Sequence, residues 1–210
     1  MIVDVICATL NPYRVDFFLR LCESVKRYGE GASLHVQFET EVRRVADRWN
    51  PLYKASTGAI VLWLMDDMEL MQDTIPEIVT AFVVHFPDYD GIVGVAQDGH
   101  PDAHPYAVMA IGRKFLDRYP DREVVCPDYH HLHVDTEIGL WAEKLGRFRF
   151  VPTAKVKHDH PAWTKRPQDE THHAARRGKN LDDRIYQARR AKGLIWGESM
   201  ERVTHERSDI

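Results

Sequence analysis

The apolar positions at the start of the chain predict a strand followed by a helix. Residues 2–10 are mostly apolar and form the predicted first strand. Asn11 and Pro12 follow, and these residue types are favoured at the N-cap and in the first turn of a helix. Apolar residues then recur at helical spacing over 15–25, and Gly29 is a typical helix stop.

The same alternation continues along the first half of the chain. Residues 33–41 alternate between apolar and polar, which is the period of a half-buried strand. A polar helical stretch over roughly 41–57 leads into 58–67, a continuously apolar run typical of a central strand covered on both faces. A helical apolar stripe follows over 73–86, and a buried strand over 91–98. This order predicts an α/β fold, with a mostly parallel sheet flanked by helices and joined by right-handed crossovers.

The second half of the chain is less regular. Residues 97–106 form a loop rich in Gly, Pro and His, and 107–120 predict a strand that turns into a short helix. Residues 134–146 are helical, 147–161 are strand-like, and 168–192 form a basic helical region. We expect this last region to be a basic helical C-terminal appendage to the sheet.

Composition places the chain among soluble globular proteins. Of its 210 residues, 44% are apolar and 29% are charged. No apolar run approaches the roughly 20 residues of a membrane-spanning helix, and the first residues lack the basic leader of a signal peptide. Cys7, Cys22 and Cys126 lie far apart, without a CxxC pair, which suits reduced thiols. We therefore expect a cytoplasmic protein that does not contact a membrane.

Charge is unevenly distributed along the chain. The net charge is −4, yet residues 155–192 hold 11 Lys and Arg against 5 Asp and Glu, a net charge of +6. A basic segment of this kind favours an anionic partner. It is also typical of the solvated face of a helix, so both interpretations stay open.

Two aspartates end the most apolar strand. Asp66 and Asp67 follow residues 60–65 directly, at the kind of strand end where α/β sheets bind ligands. Adjacent carboxylates repel each other unless a positive charge lies beside them, and a hard cation such as Mg²⁺ or Mn²⁺ is a common solution. Together with Glu69, the pair predicts a site for a metal-bound diphosphate. The alternative is an acidic turn that ends a strand.

Two further clusters carry candidate chemistry. Asp135 directly precedes a predicted helix, so it is either an N-cap or a general base that deprotonates an acceptor hydroxyl. His158 and His160 are two residues apart on a predicted strand and therefore share a face. They are either metal ligands or ordinary core and surface histidines.

The order of these features resembles that of nucleotide-sugar-dependent glycosyltransferases with the GT-A fold, most of all the family-two group. The resemblance lies within residues 3–160: "ATLNPYR" after the first strand, "GAIVLWLMDDMEL" in the place of the DxD-type motif, "VDTEIGLWAEKLG" in the place of the acidic catalytic helix, and "AKVKHDH" after it. It implies a catalytic domain over 1–160, with a nucleotide-sugar half at 1–98 and an acceptor half at 99–160. Residues 161–210 would be a helical extension.

The resemblance also implies which residues bind the donor. Thr9, Asn11 and Arg14 would lie under the nucleotide, near the end of the first strand. Glu39 stands where the family usually has an Asp that contacts the base or ribose. Asp66 would lie near the ribose and the waters of the metal. A UDP-sugar is the donor that the resemblance favours.

Metal and catalytic roles are implied in the same way. Asp67 would bind the Mn²⁺ or Mg²⁺ ion that bridges the diphosphate, with His158 as a second ligand and Glu69 as a candidate third. Asp135 would be the base, which implies a single displacement with inversion at the anomeric carbon of the sugar. The implied activity is a metal-dependent, inverting transfer of a sugar to an acceptor hydroxyl.

The acceptor is the least defined partner. Small phage-encoded enzymes that resemble this group glycosylate hydroxymethylated bases in DNA, and the basic segment suits a nucleic acid, so such a base is the first acceptor considered. The host cytoplasm would then be the location. Protein, glycan and small-molecule acceptors stay open. So do three other functions: a nucleotidyltransferase, a zinc hydrolase built from the histidines, and a nucleotide-sugar-binding module without activity.

Overall fold

The computed structural model describes residues 3–10, 14–100, 104–164 and 167–203 of the chain. These residues form one sheet of seven strands. In chain order, the strands are β1 (Val3–Leu10), β2 (Ala32–Glu39), β3 (Ile60–Trp63), β4 (Met68–Leu70), β5 (Ile92–Gln97), β6 (Met109–Gly112) and β7 (Phe148–His158).

Six α-helices connect and flank the described strands. The predicted order of strands and helices in the first half is confirmed, with the short β4 as an addition. Asn11 and Pro12, which the sequence places at the start of the first helix, lie outside the described residues, and the helix has Arg14 as its N-cap. The helices are α1 (Val15–Tyr28), α2 (Val45–Ala55), α3 (Thr74–His85), α4 (Arg113–Leu116), α5 (Val134–Lys144) and α6 (Glu170–Ala191).

The sheet is mixed, in the order β2-β1-β3-β6-β5-β7-β4. Strands β2, β1 and β3 are parallel neighbours. Strand β6 is antiparallel to both β3 and β5, and β7 is parallel to β5 but antiparallel to β4. The prediction of mostly parallel strands therefore holds for β1, β2 and β3 and for the pair of β5 with β7, whereas the other three pairs of the described sheet are antiparallel. A loop is enough to join β5 to its antiparallel neighbour β6, so no helical crossover is needed there.

Both faces of the central strand β3 are covered. Ile60 and Leu62 belong to one core cluster, and Val61 and Trp63 belong to the other, on the opposite face of the sheet. All four are at most 2% exposed. The apolar run is continuous because alternate side chains of β3 enter different cores, which confirms the prediction of a central strand covered on both faces.

The C-terminal helix belongs to one of these cores. Ile185 of α6 and Trp196 beyond it lie in the same buried cluster as residues of α5. Arg189, which is 0% exposed, donates from Nε to Glu137 Oε1 at 2.7 Å, and the backbone N–H of Trp196 donates to Oε2 at 2.8 Å. Residues on both sides of position 160 therefore share one core, and the division of the chain at 160 and 161 stays a prediction.

Candidate functional site

The two aspartates lie in the turn between β3 and β4, at the edge of the sheet where β1 also ends. Asp66 and Asp67 are buried, with 5% of each residue exposed. Thr9 of β1 donates its hydroxyl to Asp66 Oδ2 at 2.8 Å. The parallel register of β1 and β3 brings these strand ends together, so the acidic turn occupies the position that the sequence predicted for a site.

Arg14 bridges both aspartates. Its Nε lies 2.7 Å from Asp66 Oδ1, and its Nη2 lies 2.7 Å from Asp67 Oδ2. Its Nη1 donates at 2.9 Å to Oδ2 of Asp169, the N-cap of α6. The guanidinium is 4% exposed and faces three carboxylates. A side-chain cation therefore lies between the aspartates, where the sequence argument expected a metal ion.

The two aspartates differ in pKa. Burial raises the pKa of Asp66 to about 6, against the attraction of Arg14. Burial opposes the ionisation of Asp67 as well, but the hydrogen bond with His158 and the charge of Arg14 outweigh it and hold the Asp67 pKa well below its usual range. Asp67 is therefore the carboxylate that stays ionised at neutral and mildly acidic pH.

His158 ends β7 directly beside Asp67. Its Nε2 lies 3.3 Å from Asp67 Oδ1, and its Nδ1 is hydrogen-bonded to Gln97 Oε1. The antiparallel pairing of β4 with β7 sets this position, because His158 is opposite Met68. His160 lies beyond the end of the strand, so the prediction that both histidines share a strand face is wrong. Its ring nevertheless contacts that of His158, with centroids 5.2 Å apart.

The pair formed by Asp67 and His158 offers one oxygen and one nitrogen donor, a set that suits Mn²⁺ and similar divalent ions. In the described parts of the chain, no group of three His, Cys, Asp or Glu side chains is arranged to hold an ion. A cation here would complete its coordination with water and with diphosphate oxygens, as Mg²⁺ commonly does. On those terms the two residues fit a divalent metal.

Glu69 is not brought to this site. Met68 and Leu70, its neighbours on β4, are buried, and the two-residue period of a strand directs Glu69 to the other face. There it accepts from Lys157 Nζ at 2.9 Å and lies 3.7 Å from Arg20 Nε. The structure thus gives Glu69 surface ion pairs and does not support it as a metal ligand.

Asp135 lies in the first turn of α5 and lines the same cavity as Asp67. The helix begins at Val134 with His133 as its N-cap, so the N-cap interpretation of Asp135 is wrong. The side chain is half-buried, and its Oδ1 accepts from the backbone N–H of Thr136 at 2.7 Å. A role as general base remains a prediction.

The cavity has a volume of about 470 Å³. Thr9 contacts the site through Asp66, whereas Asn11 lies outside the described residues. Glu39, at the end of β2, is buried and hydrogen-bonded to Gln37 but does not line the cavity. The sequence-predicted residues that do line it are Arg14, Asp66, Asp67, Asp135, His158 and His160.

Sequence reasoning missed Arg48, a buried charged residue of this cavity. It is 7% exposed, and its Nε makes no hydrogen bond within the described part of the chain. Burial lowers its pKa, against the attraction of Glu39 and Asp66. The available signal was its spacing, since Arg48 lies three residues after Val45 and four before Leu52 on the buried stripe of α2. A buried guanidinium of this kind is suited to an anionic or carbonyl ligand.

Helix α6 forms another part of the cavity wall. Its first two turns contribute Thr171, His172, Ala175 and Arg176. The Oγ1 atom of Thr171 is buried and makes no hydrogen bond to any residue that the structure describes. The basic segment thus reaches the cavity and is not only a solvated face.

Solved structures that resemble this architecture include glycosyltransferases. A mannosyltransferase from Pyrobaculum calidifontis in complex with GDP-Man and Mn²⁺ has a TM-score of 0.62 at 16% identity, covering 93% of this chain and 68% of that one. Glucosyl-3-phosphoglycerate synthase from Mycobacterium tuberculosis, in complex with Mn²⁺, UDP and glucosyl-3-phosphoglycerate, has 0.62 at 13%, covering 91% and 80%. A glycosyltransferase involved in the glycosylation of the major capsid of PBCV-1 has 0.55 at 12%, covering 87% and 100%.

The chain has the GT-A fold. Neither a protein-family model nor a curated protein matches its sequence, so the likeness is one of structure. Within the described ranges, no helix of this GT-A chain is long and apolar enough to cross a membrane. The acidic turn after β3 and the start of α5 meet at one cavity of the fold.

Proposed function

We propose that this chain is a metal-dependent glycosyltransferase that moves a sugar from a nucleotide-sugar donor to an acceptor hydroxyl. The observation that carries the proposal is the meeting of Asp66, Asp67, His158 and Asp135 at one cavity of a GT-A chain. Two neighbours with this fold hold Mn²⁺ together with GDP-Man or with UDP. A site for a metal-bound donor and a separate carboxylate for proton removal are the two parts that such a transfer requires.

The part of the cavity wall at the ends of β1 and β3 would bind the donor. Thr9 and Arg14 hold Asp66 by hydrogen bond and ion pair, which supports their placement under the nucleotide. Asn11 keeps the neighbouring role that the resemblance implies. Arg48 extends this set, because its buried guanidinium lies within electrostatic range of Glu39, the residue proposed to contact the base or ribose. A UDP-sugar is the first donor to test, and a GDP-sugar is the second.

Asp67 and His158 would hold the metal, and a divalent ion there would neutralise the charge that develops on the leaving diphosphate. The chain itself prepares these groups. Gln97 binds His158 Nδ1, which orients the ring so that Nε2 faces Asp67. The hydrogen bond with His158 and the charge of Arg14 lower the pKa of Asp67, so the carboxylate is ionised and ready to bind a cation.

Asp135 would be the general base of an inverting transfer. The acceptor oxygen attacks the anomeric carbon, and its proton passes to a carboxylate oxygen of Asp135. The bond from that carbon to the diphosphate oxygen breaks, and its electron pair leaves with the nucleoside diphosphate. Within the described residues, Thr136 donates to Oδ1 of Asp135, which leaves Oδ2 for the proton. A base on the far side of the sugar from the diphosphate gives inversion.

The acceptor proposed first is a hydroxymethylated base in DNA. Arg176 of the basic helix α6 lines the cavity, which supports an anionic acceptor. Such a base would have to leave the duplex to reach Asp135. Protein, glycan and small-molecule acceptors are the alternatives. A structural neighbour that is involved in capsid glycosylation supports testing them as well.

Release of nucleotide tests this function. UDP-glucose, GDP-mannose and related donors are incubated with Mn²⁺, Mg²⁺ or EDTA, and with hydroxymethylated DNA, plain DNA or no acceptor. The variant Asp67→Asn removes the proposed metal ligand. Glu69→Gln is its matched control, because Glu69 is close to Asp67 in the chain but pairs with Lys157 and does not line the cavity.

The expected result is metal-dependent release from one donor, lost in Asp67→Asn and kept in Glu69→Gln. An increase with modified DNA alone would support the DNA acceptor. Equal donor affinity with metal and with EDTA, in the wild type and in Asp67→Asn, would remove the metal role. If no donor binds, the glycosyltransferase proposal is wrong.

A further inference from the structure

The loop that precedes α5 forms one edge of the cavity, and one carboxylate of helix α6 holds the backbone of this loop. The carboxylate of Asp182 accepts three consecutive backbone N–H groups. His130 N–H donates to Oδ1 at 2.7 Å, and the N–H groups of His131 and Leu132 each donate to Oδ2 at 2.8 Å. Asp182 is 0% exposed. A buried carboxylate with three charge-assisted hydrogen bonds is a strong local anchor.

The next residue of the loop, His133, is held by the same helix. Its ring stacks on Tyr186, with centroids 4.4 Å apart and planes 8° apart, and its Nε2 lies 2.8 Å from Asp183 Oδ1. His133 is the N-cap of α5 and has a φ of 67°, a left-handed conformation that a non-glycine residue keeps only where its surroundings hold it. Asp135 follows two residues later. Helix α6 therefore sets where the helix that carries Asp135 begins.

We infer that Asp182 is a positioning residue: it holds the loop 130–133 so that the Asp135 carboxylate faces the anomeric carbon of a bound donor. This rests on the proposed function, in which Asp135 is the base. Asp182 does not line the cavity, so it acts through the backbone and not on the substrate. The position requires a full carboxylate, because an amide there would turn its NH₂ group toward one of three N–H donors.

Two substitutions disturb this anchor in different ways. Asp182→Asn keeps the shape of the side chain and removes its charge. Gly178→Ala leaves Asp182 in place, but the new Cβ would lie 3.1 Å from His130 Cβ, so the loop has to shift by a few tenths of an ångström. Because alanine favours a helix over glycine, this second variant keeps the test available if Asp182→Asn fails to fold. Glu170→Gln is the control, since Glu170 pairs with Arg177 on the exposed surface of the same helix.

Amide hydrogen exchange measures the anchor directly. In the wild type, the amides of His130, His131 and Leu132 should be protected, because they donate to a buried carboxylate. Their exchange should be at least about tenfold faster in Asp182→Asn. It should also be faster in Gly178→Ala and unchanged in Glu170→Gln. Unchanged exchange in both loop variants would overturn the anchor.

Slow donor hydrolysis, with water as the acceptor, measures the effect on the base. The probes are UDP-glucose and GDP-mannose with Mn²⁺, and the readouts are nucleotide release and donor affinity. We expect Asp182→Asn to keep the donor affinity and to lose about tenfold or more of the release rate. Added to Asp135→Asn, it should cause no further loss, because both substitutions act through one carboxylate.

Additive losses in the double variant, or a parallel loss of donor affinity, would show a general structural role and overturn the positioning role. The same criteria apply to Gly178→Ala. If the wild type binds no donor, the proposed function fails and the positioning role falls with it. The anchor itself is then judged by amide exchange alone, so the two failures are distinguishable.

Discussion

Arg14 Nη2 lies 2.7 Å from Asp67 Oδ2, and both side chains are only 4% exposed. On the other oxygen of the same carboxylate, Oδ1, the imidazole Nε2 of His158 approaches to 3.3 Å. Asp67 thus has a permanent cation on one side and the candidate second metal ligand on the other. The guanidinium stabilises two neighbouring carboxylates before any donor or metal is bound. Its loss should therefore lower the stability of the metal-free protein most.

Replacement of Arg14 by glutamine should destabilise the protein. Asp66 and Asp67 would lose their shared buried cation, and the removal of one partner of a buried ion pair costs about 3–5 kcal/mol. We expect the free energy of unfolding at pH 7, measured by urea titration with EDTA, to fall by that amount. Mn²⁺ should restore part of the loss, because a second cation can then bind to the aspartates.

The matched control for this experiment is Arg27→Gln, at the exposed end of the same helix, which should change stability by less than about 1 kcal/mol. An Arg14→Gln protein as stable as the wild type in EDTA would contradict the role of Arg14 as the buried counterion.

The raised pKa of Asp66 predicts a pH dependence of stability. Burial holds this pKa near 6 in the folded chain, against 3.8 for the unperturbed group. Between about pH 4 and pH 6 the folded state therefore binds more protons than the unfolded state, and stability falls as the pH rises. The contribution lost is about 3 kcal/mol for a shift of about two units. Urea unfolding from pH 4 to pH 7 should show this decline in the wild type and not in Asp66→Asn.

Asp67 and Asp169 contribute in the opposite direction. Burial disfavours their ionisation, but imidazole hydrogen bonds and Arg14 outweigh it, lowering the Asp169 pKa to about 2 and holding that of Asp67 well below its usual range. Their stabilisation is present above about pH 4 and is lost as the pH falls below it. The contribution of Asp66 changes between about pH 4 and pH 6, and those of Asp67 and Asp169 change below about pH 4. If stability stays constant from pH 4 to pH 7 and falls only when the pH is lowered below 4, the assignment for Asp66 is wrong.

Asp135→Asn should separate donor binding from transfer. The amide cannot accept the acceptor proton, and a positioned general base contributes about 10²–10⁴-fold. We expect a donor affinity close to that of the wild type, measured by calorimetry with Mn²⁺, and a loss of nucleotide release of that order. Glu143→Gln, on the exposed part of the same helix, is the control. Full release in Asp135→Asn would remove Asp135 as the base.

Glu137 should be the most important single carboxylate for holding the C-terminal segment. It accepts from Tyr129 Oη at 2.6 Å, from Arg189 Nε at 2.7 Å and from the Trp196 backbone at 2.8 Å. Glu137→Gln removes the charge opposite the fully buried Arg189, and we expect a loss of about 3–5 kcal/mol in urea unfolding.

Glu198→Gln tests whether the effect is specific to a buried charge. Glu198 pairs with Lys144 at the surface, and an exposed ion pair contributes about 0–1 kcal/mol. Similar losses in the Glu137 and Glu198 variants would show that the buried contact is not what joins α5 to α6.

Several errors of the sequence reading have one physical cause. Periodicity shows which residues share a face, but not whether another element covers that face. Phe38 of the edge strand β2 and Val83 of α3 fit apolar stripes and are nevertheless 60% and 57% exposed. Glu69 follows Asp67 by two residues, yet the direction of β4 points it away from the cavity.

The sequence by itself determined the order of strands and helices in the first half and the position of Asp66 and Asp67 at a strand end. These follow from local periodicity and from the way that alternate side chains of a strand enter opposite cores. Tertiary structure alone decided that Arg14 lies between the aspartates, that His158 lies beside Asp67, and that Asp182 holds the loop before Asp135. Such contacts join segments far apart in the chain, so they depend on strand pairing and helix packing, which no local pattern encodes.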